Sequence, residues 1–221
     1  MASQPISNSP RRSASDDSKN RRALLDAADR LMLAEGYASI TARRVAAEAG
    51  LKPQLVHYYF SSMDELLISA VKRGADHALK ELDHALRSPQ PLRALWTLSS
   101  NPTGTVLAAE YLALARNRKG LAKEITKAAQ RFRQAQHEAV RQLFNSYGID
   151  ENALPVGAFL VALAGVARVI VLEDSVGMST NHAEALALVE RELTRLEGPA
   201  NSGPHGMSSR RQSSKAAARN R

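Results

Sequence analysis

The 221-residue sequence contains no cysteine, which excludes disulfide bonds and any metal site or catalytic nucleophile that depends on a thiolate. The first twenty residues, MASQPISNSPRRSASDDSKN, lack the apolar segment that a secretory signal requires, so a cytoplasmic location is predicted. The sequence also lacks a convergent set of acid, base and nucleophile residues. We therefore expect no enzymatic activity and no cofactor.

Positive charge is distributed unevenly along the chain, whose formal net charge is +8. Residues 61–197 balance sixteen basic against sixteen acidic side chains, whereas residues 20–60 hold six basic and four acidic ones. Residues 198–221 carry five basic side chains and no acidic one. A polyanion such as DNA would therefore meet the N-terminal segment and the tail rather than the neutral middle.

Both ends of the chain are rich in Ser, Pro, Gly and Arg and poor in large apolar side chains. Such segments bury too little apolar surface to offset the entropy of folding. The composition predicts a disordered arm over residues 1–19 and a disordered basic tail over residues 198–221. A basic tail of this kind either keeps a protein soluble or attracts DNA weakly and without sequence preference, and the sequence leaves both readings open.

Between these ends, apolar residues recur every three or four positions, which predicts an all-α protein. The first helix is indicated by an apolar stripe and ends at a glycine. The members of the stripe are Leu24, Ala27 or Ala28, Leu31 and Ala34, and the glycine is Gly36.

Two shorter helices are predicted next. Thr41 is a good N-cap for ARRVAAEA, and Gly50 ends that helix after about two turns. Pro53 suits the first turn of the third helix, and Ser62 with Glu65 has the spacing of a capping box that opens a fourth. Short helices joined by a tight turn and braced by a longer one predict a helix-turn-helix domain over residues 20–63.

The third helix ends in four consecutive ring-bearing residues, His57-Tyr58-Tyr59-Phe60, which cannot all face one core. We expect Leu55, Val56 and Phe60 to pack inward. Gln54, His57, Tyr58 and Tyr59 would then face outward, where hydroxyl and imidazole groups can donate to phosphate and Gln54 can read an adenine edge. The alternative is that one or two of the tyrosine rings pack beneath a neighbouring helix.

The stretch from Arg22 to Leu67 resembles the N-terminal domain of the tetracycline-repressor (TetR) family. LLDAADRLMLAEG, SITARRVAAEAGL and LVHYYFSSMDELL follow the order and spacing of that family. The resemblance implies a homodimeric, all-helical, ligand-responsive regulator, usually a repressor, with an N-terminal helix-turn-helix domain and a helical ligand-binding and dimerisation domain. Three positions depart from the usual family pattern: Lys52 stands in place of Ser, His57 in place of Tyr, and Met63 in place of Lys.

The candidate DNA-binding residues combine the resemblance with the outward faces of the two short helices. They are Thr41, Ala42, Arg43, Lys52, Pro53, Gln54, Leu55, His57, Tyr58 and Tyr59. A symmetric dimer would place two recognition helices on the two halves of a palindromic operator.

Residues 64–197 show helical periodicity without a sharp motif, as expected for the variable ligand-binding domain of the family. Helix breakers at Pro89, Pro91 and residues 101–104 enclose the single tryptophan. Pockets between helices are mostly hydrophobic, so a small, largely apolar effector is expected, although apolar residues of this kind are also common as ordinary core. The candidate ligand-binding residues are Trp96, Tyr111, Leu114, Phe132, Phe159 and Arg168.

The segment LPVGAFLVALAGVARVIVL, residues 154–172, approaches the length of a membrane span. Arg168 lies well inside it, so we interpret it instead as a buried helix. With NHAEALALVERELTRLE it would form the dimer interface, at about residues 154–174 and 181–196. Arg168 would need a partner there, either Glu110 or Glu173 or an anionic group of a ligand.

Two further alternatives concern metal and the absence of an effector. His77 and Glu81 have the spacing of a chelating pair, but we interpret them as an exposed ion pair, and no metal site is predicted. A DNA-binding protein of architectural or constitutive type, without a small-molecule effector, is the alternative to a ligand-responsive repressor.

Overall fold

The computed structural model describes residues 14–201, and it confirms the all-α prediction. Within that range the chain forms nine α-helices and one short 3-10 helix at Tyr37–Ser39. The α-helices are α1 Ala14–Glu35, α2 Ala42–Glu48, α3 Gln54–Tyr59, α4 Met63–Leu86, α5 Pro91–Ser99, α6 Pro102–Ala115, α7 Lys119–Tyr147, α8 Val156–Asp174 and α9 His182–Glu197.

Helix α1 begins at Ala14, so residues 14–19 are helical where the sequence analysis predicts a disordered arm. The physical reason is that Asp16 and Asp17 lie in the first turn, where negative charge interacts favourably with the helix dipole. Residues 1–13, the rest of the predicted arm, lie outside the described residues. So do residues 202–221, which make up most of the predicted basic tail.

Local signals place the helix ends much as the sequence predicts. The Thr41 hydroxyl accepts a hydrogen bond from the Arg44 amide at 3.3 Å, and Gly50 follows α2 with a φ of 67°. Ser62 accepts from the Glu65 amide at 3.1 Å. The Glu65 carboxylate accepts from the amide and hydroxyl of Ser61, both at 2.6 Å, so the expected capping box is shifted by one residue on one side.

The described residues form two compact units. The N-terminal unit comprises residues 14–81 and 101–138, and the C-terminal unit comprises residues 82–100 and 139–201. This grouping differs from the predicted division at residue 63, because α6 packs against α1 and contributes Tyr111, Leu114 and Ala115 to the core of the helix-turn-helix.

The core of the N-terminal unit gathers the apolar faces of α1, α2, α3 and α4 together with α6 and the start of α7. Ala34 is exposed, and the fully buried Met32 contributes to this core instead. The largest fully buried side chains of this core are Leu24, Met32, Val45, Val56, Phe60, Leu66, Leu67 and Leu121.

The C-terminal unit packs α5 against α8 and α9. The carboxylate of Glu197, at the end of α9, accepts hydrogen bonds from the amides of Leu92 and Arg93 at 2.8 and 3.0 Å. These amides belong to the first turn of α5, so a negative charge from one helix caps the N-terminus of another. The contact fixes the end of α9 on α5.

The apolar sequence of α8 predicts a helix that is buried on all sides, and the structure differs from this prediction. Helix α8 buries one stripe, but Val161 and Val169 are 57% and 52% exposed within the single chain. By length and composition α8 is the one helix among residues 14–201 that could cross a membrane, a test that core helices of soluble proteins also pass. The exposed side of α8 is therefore not part of the core of the single chain.

Candidate nucleic-acid interface

The second and third helices present a polar outer face over a buried inner one. On α2, Val45 and Ala46 are completely buried, while Arg43 and the Thr41 cap are exposed. Ala42 is half-buried and packs against the core, so the expected contact at this position is limited to a small exposed edge. The fixed inner face determines which way the arginine points.

Helix α3 has the same division. Val56 and Phe60 are buried, with 1% of each exposed, and Leu55 is half-buried. The exposed residues of this region include most of the predicted contacts: Lys52, Pro53, Gln54, His57 and Tyr58. Tyr58 is 66% exposed, which is high for a large ring on a folded surface.

Tyr59 differs from its neighbour Tyr58: it does not face outward, and the alternative of an inward-packed tyrosine ring describes its position. It is half-buried and packs against the core, and its hydroxyl donates to Asp17 Oδ1 at 2.8 Å. The amide of Asn20 also donates to the Tyr59 hydroxyl at 3.5 Å. Adjacent residues are about 100° apart on a helix, so one tyrosine faces solvent while the next faces α1.

The cationic side chains of this surface differ in whether they form ion pairs. Arg44 pairs with Glu35, and this hydrogen bond raises the pKa of the guanidinium. Arg43 and Lys52 form no ion pair with any residue in the described range, so both charges remain available to a polyanion. Met63, which replaces the usual lysine, is half-buried and packs against the core.

Sequence reasoning missed Asp17, although the pair Asp16-Asp17 before an apolar stripe is a recognisable helix-start signal. The Ser- and Pro-rich composition around the pair obscured that signal. The half-buried position of Tyr59 had no local signal, because it depends on a contact 42 residues away in sequence.

The six predicted ligand-binding residues do not lie together in one unit. Tyr111 and Leu114 belong to the core of the N-terminal unit, where the Tyr111 hydroxyl donates to Asp29 at 2.7 Å, so they support the helix-turn-helix. Phe132 lies in the same unit. Trp96, Phe159 and Arg168 lie in the C-terminal unit, where α5 packs against α8.

Arg168 is exposed, contrary to the expectation of a buried charge. Both predicted partners bind other groups, since Glu110 accepts from the Tyr37 amide at 2.9 Å and Glu173 contacts His182 at 2.7 Å. The reason is that Arg168 lies on the side of α8 that the single chain leaves uncovered.

Helices α8 and α9 line an open apolar groove of about 320 Å³ within the C-terminal unit. Phe159, Leu163 and Leu193 are among its lining residues, and Leu186 and Leu188 on α9 are 43% and 48% exposed.

His77 and Glu81 form a pair at 4.0 Å on α4. Among residues 14–201, no group of three His, Cys, Asp or Glu side chains could hold a metal ion.

Sequence comparison matches residues 24–70 to the family described as bacterial regulatory proteins, tetR family. The HTH-type transcriptional regulator BetI of Brucella anthropi is 37% identical over 68 residues, which cover 31% of this chain and 33% of BetI. BetI of Rhizobium meliloti is 40% identical over 52 residues, covering 24% of this chain and 26% of BetI. The chain thus matches about a third or less of the length of these relatives. Their names agree with the expectation of a protein that is not an enzyme.

Solved structures extend the similarity to most of the chain at the level of the fold. A transcriptional regulator from Rhodococcus sp. Rha1 has a TM-score of 0.60 and 20% identity, covering 82% of this chain and 99% of its own. GusR of Salmonella enterica has a TM-score of 0.63 and 14% identity, covering 80% and 95%. A protein of Saccharomonospora viridis solved in complex with choline has a TM-score of 0.64 and 16% identity, covering 80% and 96%.

Residues 24–70 are thus similar to the tetR family of bacterial regulatory proteins, and about four fifths of the chain shares the fold of solved transcriptional regulators.

Proposed function

We propose that the protein is a cytoplasmic transcriptional regulator that binds a palindromic operator as a homodimer and acts as a repressor. The observation that carries the proposal is the outer face of α2 and α3, where Arg43, Lys52, Gln54, His57 and Tyr58 are exposed above a buried inner face. Cations and ring donors suit phosphate oxygens, and an exposed glutamine suits a base edge. The similarity of residues 24–70 to the tetR family supports DNA as the partner of this surface.

The residues of this surface divide into two roles. Gln54 would read a base, whereas Arg43, Lys52, His57 and Tyr58 would contact phosphates. Thr41, the cap of α2, would contribute to DNA binding at the start of that helix. Pro53 and Leu55 would contribute where α3 closely approaches the DNA. Tyr59 is omitted from the contacts because its hydroxyl is hydrogen-bonded to Asp17.

Selection of bound duplexes from a random pool tests the DNA-binding proposal. We expect a palindrome whose half-sites are about one helical turn, or a small multiple of one, apart. Gln54→Ala should cost about 1–3 kcal/mol on that site and relax base preference, whereas Arg43→Ala should weaken binding to all duplexes. Lys127→Ala, which removes an exposed lysine of α7, is the charge control. A protected site without symmetry, or equal losses for Gln54→Ala on selected and scrambled duplexes, would contradict the assignment.

The dimer would form through α8 and α9. Support comes from the exposed Val161, Val169, Leu186 and Leu188 and from the apolar groove between these helices. Exposed apolar residues on two packed helices suit contact with a second copy of the same helices.

Sedimentation of substituted proteins tests this interface. Val169→Glu should convert the dimer to a monomer, because it places a charge in the middle of an apolar contact. Val176→Glu is the matched control, since Val176 is 79% exposed and lies beyond the end of α8. If the Val169→Glu protein remains dimeric, the interface lies elsewhere.

The effector would be a small, largely apolar molecule bound in the C-terminal unit, which contains Trp96 on α5 and Phe159 on α8. Both rings are half-buried, and Phe159 lies 5.4 Å from the ring of Phe144. Because Trp96 is the single tryptophan, its fluorescence reports binding directly. Choline, the ligand of one structural neighbour, belongs in the screen beside hydrophobic metabolites.

Linkage between effector and DNA separates a ligand-responsive repressor from the alternative, an architectural or constitutive DNA-binding protein. An effector that weakens operator binding must itself bind more weakly, by the same factor, when operator is present. The usual coupling corresponds to about 5- to 150-fold. Equal affinities with and without operator would exclude that molecule as an inducer. If no tested molecule releases a selective operator, the constitutive alternative is favoured.

A further inference from the structure

The N-terminal end of α1 holds the C-terminal end of α3 through a polar contact. Asp17 lies in the first turn of α1, and its Oδ1 accepts the hydroxyl proton of Tyr59 at 2.8 Å. Asn20, three residues further along α1, donates to the same hydroxyl oxygen at 3.5 Å. The tyrosine ring between them packs against the apolar core. One side chain of α3 is thus fixed by both polar and apolar contacts.

The same contact reaches the exposed surface through a second ring. The centroid of Tyr58 lies 4.9 Å from that of Tyr59, and the two planes are inclined at 84°. Edge-to-face pairs of this geometry are favourable, so the position of the inner ring biases the outer one. Tyr58, which is 66% exposed, therefore packs edge-to-face against a ring whose hydroxyl is hydrogen-bonded to Asp17 of α1.

Helix α3 needs such support because it is short. It has six residues, fewer than an isolated helix requires to be stable in water. Val56 and Phe60 anchor one face of it by burial. The hydrogen bond from Tyr59 to Asp17 is directional and adds a second constraint, at the C-terminal end of the helix.

We propose that Asp17 is a positioning residue for DNA recognition, which orients α3 and Tyr58 through its hydrogen bond with Tyr59 without touching DNA. This inference rests on the proposed function of the α2–α3 surface. It assigns a recognition role to the start of α1, a segment outside the two helices that carry the predicted contacts.

Electrostatics and positioning predict opposite outcomes when Asp17 is changed. DNA is a polyanion, so removing a carboxylate from the same domain should strengthen binding if charge alone matters. If Asp17 orients α3, removing its acceptor oxygen should weaken binding. The sign of the change therefore distinguishes the two effects.

Two substitutions at this position separate charge from hydrogen bonding. Asp17→Asn and Asp17→Ala remove the same charge, but asparagine keeps an oxygen that can accept from the Tyr59 hydroxyl. On the operator chosen by selection, we expect Asp17→Ala to bind about tenfold more weakly. A tenfold loss of affinity corresponds to the loss of about one hydrogen bond to a carboxylate. Asp17→Asn should stay within about threefold of the parent protein.

A double-mutant cycle completes the test. Tyr59→Phe removes the hydroxyl and no charge, and it should weaken binding about as much as Asp17→Ala. The double variant should lose little more than either single variant, because both changes remove one shared interaction. Losses that multiply would show that the two residues act separately and would overturn the inference.

Affinities are measured well below the melting temperature of every variant, so that only folded protein is compared. A purely structural role would lower the melting temperature and leave the affinity of the folded protein unchanged, which overturns the proposal. Tighter binding by both Asp17 variants also overturns it, in favour of charge. Failure of the parent protein to select any duplex would instead refute the proposed DNA-binding function. Duplex selection by the parent protein is therefore carried out before the variants are measured.

Discussion

The hydrogen bond between Tyr111 and Asp29 links α6 to α1, and its removal has a calculable cost. The hydroxyl donates to Asp29 Oδ1 at 2.7 Å, and Arg73 contacts Asp29 Oδ2 at 2.6 Å from α4. Tyr111 is 7% exposed and the side chain of Asp29 is 22% exposed, so water replaces the lost partner poorly. Burial raises the pKa of Asp29, while the bonds from Tyr111 and Arg73 oppose that rise.

Tyr111→Phe deletes the hydroxyl and keeps the ring. A hydrogen bond to a charged group contributes about 1.5–3 kcal/mol, and Asp29 would keep Arg73, so we expect a loss of about 2 kcal/mol. In a chain of this size that corresponds to a melting temperature lower by about 4–8 °C. Urea unfolding at one fixed protein concentration provides the free energy, since oligomerisation contributes to apparent stability.

Tyr147→Phe is the matched control for this experiment. Tyr147 is 39% exposed, and its hydroxyl donates to Glu197 at 3.0 Å. Burial and the contact with Glu197 raise its pKa to about 12. Because water can reach this site, the same deletion should cost only about 0.5 kcal/mol. Equal losses for the two variants would refute the argument that burial gives the Tyr111 bond its strength.

Three further changes test other contacts. The ring of His182 contacts Glu173 at 2.7 Å and Asp174 at 3.0 Å, and these bonds raise its pKa. Its stabilising contribution should be complete below the unfolded pKa of about 6.5 and disappear as the pH rises through the folded value. The melting temperatures of the parent and His182→Gln should therefore converge on raising the pH, and a constant difference would contradict this. Thr41→Ala should cost about 1 kcal/mol in urea unfolding by removing the cap of α2, and an unchanged midpoint would contradict the capping role. Glu197→Gln should lower the free energy of unfolding by about 1 kcal/mol, because glutamine is uncharged and has one side-chain oxygen to accept from the two α5 amides. An unchanged free energy of unfolding would contradict the capping role of Glu197.

Features that depend on neighbouring residues could be predicted from the sequence. The Thr41 cap, the glycine at residue 50 and the prolines at the starts of α5 and α6 each act within one turn, and the structure places helix ends beside all of them. The inward faces of α2 and α3 follow from the same local periodicity. The outer surface, and with it most of the candidate interface, could therefore be inferred by elimination.

Features that depend on distant contacts could not. Tyr111 and Leu114 have the apolar character of a ligand pocket, yet α6 packs on α1 and places them in the helix-turn-helix core. Arg168 is predicted to be buried because α8 is apolar, but α8 buries only one stripe, and Arg168 lies with Val161 and Val169 among the exposed residues of this helix. A single-chain pattern does not distinguish these cases.

Tyr58 and Tyr59 illustrate how far local reasoning reaches at the candidate site itself. Helical periodicity predicts that two adjacent rings point about 100° apart, so the two rings have different surroundings. It does not establish which ring finds a partner, because the deciding acceptor is Asp17, 42 residues earlier in the chain. Because α1 extends to Ala14, that acceptor lies in a helix, and the inner tyrosine bonds to α1 while the outer one stays exposed. The different surroundings of the two rings on α3 therefore follow from the extent of α1, a feature that the local sequence of α3 does not contain.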